Sequence, residues 1–142
     1  MIGDKYRFLV TGTETDGKYA CWEAIVPPGG GPPMHRHSRE DESFFILEGE
    51  VSFFVGDQRT VAKPGTFVHL ANGSVHGFRN EGSVPAKMLI HVVPAGIEQM
   101  FFDVGNPIDR DGVAPNPTSE EIARLITVAA EKYGIEIFPP AG

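Results

Sequence analysis

Four residues lie in the stretch 29–80 whose types and spacing suit metal chemistry: His35, His37, Glu42 and His76. His35 and His37 are two apart. On a β-strand, residues i and i+2 point to the same face, so one strand presents both imidazoles side by side. Glu42 follows five residues later, where an approach strand runs into the apolar stretch Phe44-Phe45-Ile46-Leu47. His76 comes from a separate strand-like segment, residues 75–79. Three imidazole nitrogens and one carboxylate suit a borderline first-row divalent ion: Fe, Mn, Ni, Co or Zn. Arg36, between two inward imidazoles, should point away from the ion. Glu40 and Asp41 read as solvated turn residues.

The elements that must carry these groups are short strands. Residues 6–11 and 18–26 are rich in aromatic and β-branched side chains, with 12–17 as a polar turn. The run Pro27-Pro28-Gly29-Gly30-Gly31-Pro32-Pro33 breaks regular structure. It lies too close to the histidines to be an interdomain linker and reads as a rigid loop delivering residues 34–37 into a sheet. Residues 44–55 form a hairpin around Glu48-Gly49-Glu50. Segments 59–62, 66–70, 75–79 and 86–93 continue the rhythm, which suggests a sandwich or barrel.

The last third changes character. Residues 97–104 are a short helix candidate ended by Gly105, and 106–117 a proline-rich loop. Thr118 to Glu121 is a capping-box signature. Ile122, Leu125, Ile126, Ala129, Ala130 and Tyr133 then recur on one helical face, and Gly134 terminates it. That face is expected to pack on the outside of the sheet.

The chain has 142 residues, 41% of them apolar and 22% charged, an ordinary composition for one globular domain. A domain of this length buries roughly 68–70% of its unfolded surface, so it needs neither disulfide nor metal merely to hold a core. Seventeen glycines and twelve prolines favour strands and turns over a helical bundle. A net charge of −7 argues against nucleic-acid and anionic-membrane partners. Cys21 is the single cysteine and reads as a structural thiol in a strand, which fits a reducing compartment. The first five residues carry no charged-then-apolar leader, and no apolar stretch approaches membrane-spanning length. A cytoplasmic location is expected.

The fixed positions of the site also carry a resemblance. Gly29, His35-x-His37, Glu42 and Gly49 resemble the first cupin motif. Gly65, Ala71-x-Gly73, His76 and Asn80 resemble the second, with Ala71 where the pattern has proline. The run from Pro28 to His37, the stretch Glu40 to Gly49 and the tail segments 93–98 and 132–137 are similar to small single-domain cupins grouped with quercetin dioxygenases. The resemblance implies an all-β cupin, a jelly-roll-like double-stranded β-helix barrel spanning about 5–94. A helical extension, about 95–142, would add two short α-helices packed on the outside. It also implies one divalent transition metal held by His35, His37, Glu42 and His76, and frequent homodimers.

Four protein ligands on a six-coordinate ion leave two positions for other molecules, unlike a closed structural tetrahedron. Phe44, Ile46 and Phe78 lie at even offsets from Glu42 and His76, and with His91 they are the expected pocket lining; plain barrel core is the other reading of the three apolar ones. His69 is expected as a hydrogen-bonded core or interface histidine. Glu42 is either a fixed ligand or a base that accepts a substrate proton, the role the resemblance implies. The leading expectation is a dioxygenase acting on a small aromatic or polyoxygenated, quercetin-like molecule. The alternatives are a metal-dependent isomerase, decarboxylase or hydrolase, and a non-catalytic small-molecule-binding module.

Overall fold

The computed structural model describes residues 4–104 and 118–138. Its strands are β1 (Lys5–Val10), β2 (Ala20–Val26), β3 (Met34–His37), β4 (Asp41–Glu48), β5 (Val51–Val55), β6 (Gln58–Ala62), β7 (Phe67–Leu70), β8 (Val75–Arg79), β9 (Ala86–Val93) and β10 (Ile135–Phe138). They form two five-stranded antiparallel sheets, ordered β1-β2-β9-β4-β7 and β10-β3-β8-β5-β6. The expected all-β barrel is thus two facing sheets, and the site lies between them.

Strand alternation builds the interior. Ala20, Trp22, Ala24 and Val26 of β2 are buried, as are Ala86, Met88, Ile90 and Val92 of β9, while the residues between them are not. Phe44 and Ile46 of β4 point the same way. The rings of Phe44, Phe53 and Phe78 meet in the centre with centroids 4.9 to 5.9 Å apart. Burying a side chain of this size contributes roughly 1.5–3 kcal/mol, so this aromatic layer is a main source of stability.

The proline–glycine loop is tied down at both levels. Gly29 N donates to Asn80 O at 2.7 Å, and Asn80 N donates to Gly30 O at 3.0 Å. The buried Asn80 amide donates to Val26 O and Val84 O. Gly31 has a φ of 125°, and a Cβ there would lie 2.0 Å from Phe78 O, so only glycine permits this close approach. The loop is therefore fixed onto the end of β8, and it leads directly into β3.

Three local features differ from the sequence reading. Residues 12–17 hold a helical turn, α1 (Gly12–Thr15), because Glu14 accepts from the Thr11 amide at 3.1 Å. The strand β10 was not expected; it pairs with β3, Ile135 opposite His37 and Ile137 opposite His35. The helices α2 (Glu98–Val104) and α3 (Ser119–Tyr133) lie beyond the two sheets, over the end that holds the histidines. The α3 capping box forms as expected, with Glu121 N donating to Thr118 Oγ1 at 3.1 Å. Of its expected apolar face, Leu125 and Ala129 are buried, Ile126 and Tyr133 half-buried, and Ile122 and Ala130 exposed. The expected stop at Gly105 and the loop 106–117 lie outside the described residues. Among those residues no helix is long and apolar enough to cross a membrane.

Candidate metal centre

Both sheets contribute to the site. β3 and β8 are antiparallel neighbours with His35 directly opposite His76, and β3 alternation brings His37 to the same side. The three rings cluster with centroids 4.6 to 5.5 Å apart. Glu42 reaches in from β4 of the other sheet. Its Oε2 lies 2.8 Å from His37 Nε2 and 3.7 Å from His76 Nε2. All four residues are buried, and one donor atom from each lies within 4.8 Å of the others.

Each imidazole is oriented from behind. His35 Nδ1–H donates to Pro33 O at 2.9 Å, the loop carbonyl just ahead of β3. His37 Nδ1 lies 3.3 Å from Glu40 Oε2. Ser74 Oγ donates to Ala71 O at 2.9 Å, so its oxygen is free to accept from His76 Nδ1–H at 3.2 Å. In the neutral rings these partners put the hydrogen on Nδ1 and leave the Nε2 lone pairs aimed at the common centre. His37 Nε2, His76 Nε2 and Glu42 Oε2 are all buried and face only one another, with no well-aligned hydrogen-bond partner.

Unpartnered buried polar atoms are costly, so their convergence needs a reason. Two ligands at right angles on an ion about 2.1 Å from each lie roughly 3 Å apart, close to the separations seen between Glu42 and the two histidines. The donor set fits a divalent first-row ion. The electrostatics agree. Burial lowers His35 to about 4, which favours the neutral ligating form. Burial opposes the charged form of Glu42 as well, but His37 and His76 hold it well below the usual carboxylate range. His37 is pulled the other way: burial lowers it, but Glu40 and then Glu42 raise it to about 9. A cation entering here competes with the proton on His37.

The centre forms part of the wall of a cavity of about 70 Å³. That compares with the roughly 10–15 Å³ that one water needs. Phe78, Trp22, Tyr6 and Ile90 line it from the barrel. Pro32 and Pro33 line it from the loop. Met100, Phe101, Leu125, Ile135 and Ile137 close it from the C-terminal elements.

The sequence-derived site residues divide as follows. His35, His37, Glu42 and His76 come together. Arg36 points outward, as expected, to Glu136 of β10. Phe78 lines the cavity. Phe44 and Ile46 share its face but fill the barrel interior behind it, so plain core is their role. His91 is a correction: it stands on the outer face of β9, against the Tyr19 ring at 5.4 Å, because Ile90 takes the inward position. His69 is hydrogen-bonded, its Nδ1 3.1 Å from Ser43 Oγ, but it is exposed on the outer face of the sheet, so the core half of its reading is corrected. Glu40 is a third: it is buried behind His37 and not solvated. Asp41 accepts from the Asn72 backbone amide at 2.9 Å. The sequence reading does not single out Tyr6, Trp22 or Ser74 for the site; Trp22 carries a signal in its parity with Ala20, Ala24 and Val26.

Comparisons with known proteins agree with this geometry. The pattern of the family described as Cupin domain matches residues 22–93. Over 110 residues the chain is 28% identical to the quercetin 2,3-dioxygenase of Bacillus subtilis, covering 77% of this chain and 32% of that one. It is 32% identical over 72 residues to an uncharacterized protein of Methanocaldococcus jannaschii, covering 51% of this chain and 58% of that one. The chain therefore spans only part of the length of the curated relatives it matches. Among solved structures, one described as a predicted oxalate decarboxylase from Thermotoga maritima superposes with a TM-score of 0.61. It is 24% identical and covers 66% of this chain and 86% of that one, a likeness of fold. With the family pattern matched over half its length and both motifs set in two facing sheets, the chain belongs to the cupin family.

Proposed function

We propose that this chain is a metal-dependent dioxygenase acting on a small aromatic or polyoxygenated, quercetin-like molecule. The observation that carries the reading is the convergence of the Nε2 side of three imidazoles and one carboxylate oxygen on one point in the wall of an apolar cavity. His35, His37, Glu42 and His76 would hold one divalent ion of the Fe, Mn, Ni, Co or Zn group. Such an ion would supply Lewis acidity toward an enol, catechol or similar pair of adjacent oxygens. Glu42 stays ionised and is placed to accept a hydroxyl proton at Oε2, an effect typically worth about 10²–10⁴-fold. The largely apolar walls disfavour water. The similarity to a quercetin 2,3-dioxygenase supports the choice of substrate class.

The test is oxygen uptake with flavonols after reconstitution with Fe, Mn, Co or Ni. Uptake that falls about 10²–10⁴-fold in Glu42→Gln is expected. No uptake with any metal overturns the reading. Turnover of a keto acid or sugar without oxygen would establish the isomerase, decarboxylase or hydrolase alternative instead.

A cytoplasmic homodimer belongs to the same proposal. Phe45, Phe67 and Val93 stand exposed on the outer face of the β1-β2-β9-β4-β7 sheet, where a second copy would cover them. Sedimentation of the parent and of Phe67→Lys tests it: a dimer and a monomer are expected, respectively.

A further inference from the structure

The cavity beside the histidines has an unusual wall. Apart from the candidate ligands His35, His37 and Glu42, its only polar side chains among the described residues are Tyr6 and Trp22; neither lysine nor arginine reaches it. Trp22 is 1% exposed, and its Nε1–H has no acceptor among the described residues. A buried indole usually finds a partner, because an N–H sealed from solvent and left unpaired is costly. Three rings meet on this side of the cavity. Phe101 stands edge-on to Trp22 at 5.4 Å and to Tyr6 at 5.0 Å, and Tyr6 and Trp22 lie 6.0 Å apart. The Tyr6 hydroxyl is within the field of Glu42. Burial first, then Asp4 and Glu42, push it well above the usual phenol range, so it remains a donor.

We infer that Trp22 and Tyr6 select the ligand of this cavity: a small ring compound, neutral or singly charged, with an oxygen that accepts from Trp22 Nε1–H. The inference rests on the proposed metal-dependent reading and names its substrate class more narrowly. Charge gives the second half of the argument. A divalent cation and Glu42 together leave one net positive charge, which a monoanion cancels. A dicarboxylate or a phosphorylated sugar would bring a further negative charge into an apolar wall that holds no side-chain cation, and an uncompensated buried charge is strongly disfavoured. The aromatic walls favour a ring at offset or edge-on geometry.

Trp22 is the only tryptophan of the chain, so its indole N–H gives a single, assignable resonance. Zinc is redox-silent and diamagnetic, so binding can be read without turnover. With zinc-loaded protein, catechol is expected to move that resonance downfield and to bind at least tenfold more tightly than oxalate. Trp22→Phe and Tyr6→Phe should each weaken catechol about 3- to 10-fold by calorimetry, leaving zinc affinity unchanged. If Trp22→Phe does not fold, the resonance of the parent decides. Oxalate binding as tightly as catechol, or catechol binding with the indole resonance unmoved, overturns the inference. The two readings fail separately. Catechol behaving as stated, with no oxygen uptake on any substrate or metal, overturns the dioxygenase. Flavonol turnover with an unmoved indole overturns the selection by Trp22.

Discussion

The barrel interior has two ends, and they are built on opposite rules. One end is filled by Phe44, Ile46, Val51, Phe53 and Met88, all fully or almost fully buried, with no polar side chain among them. The other holds three imidazoles and a carboxylate, equally buried, with three donor atoms lacking partners. The same strands serve both ends: β4 carries Glu42 and Ile46, and β8 carries His76 and Phe78. The apolar end supplies stability by itself. The polar end is a liability by itself and an asset with a cation bound.

The difference can be broken at four points. Phe44→Ala at the apolar end should cost about 3–5 kcal/mol of unfolding free energy in urea melts, equally with and without metal. A loss confined to metal-loaded protein would contradict the division. His76→Ala should do the reverse. At a metal concentration about 1,000 times the dissociation constant, the parent gains roughly 4 kcal/mol. The variant should lose most of that gain, and chelator treatment should no longer shift its Tm.

Asp4 sharpens the contrast, because it too is a buried acid at the polar end, its Oδ1 against the Gly30 turn. Burial lifts its carboxyl from 3.8 to about 7. Between those values the folded chain keeps a proton that the unfolded chain has lost. Its contribution to stability is therefore complete below pH 3.8 and is lost as pH rises through 7. Asp4→Asn should flatten that fall and stabilise the protein at pH 8 by at most roughly 4 kcal/mol, measured by urea melts at pH 5 and pH 8. Glu40→Ala is the smallest effect. It removes the carboxylate behind His37 and should weaken metal about 10–100-fold in competitive titration, with little change in metal-free stability.

Much of this site was legible because strand parity is simple. The pair His35 and His37 declares a face, and so do Ala20, Trp22, Ala24 and Val26. Parity failed where neighbouring residues offer nothing to contrast. Residues 88–93 are apolar at nearly every position, so only the pairing of His91 with Cys21 and Ser43 reveals which way it points. Glu40 precedes β4, in a turn where alternation does not apply, and its side chain folds back to His37. His69 sits on the edge strand β7, where neighbouring apolar residues do not imply burial; Phe67 beside it is 64% exposed. The strand β10 is four residues long, too short for periodicity, and its identity depends on β3, nearly a hundred positions earlier.

That pairing has a consequence for how the protein is made. All four candidate ligands are synthesised by residue 76, yet the strand bearing His35 and His37 stays open along one side until Ile135–Phe138 arrives. A nascent chain halted before then displays a bare row of amides and carbonyls beside two imidazoles, ready to zip onto any passing strand. The threat of clumping is thus set by a late event: the last few residues to be synthesised in the described structure act as the seam of the vessel.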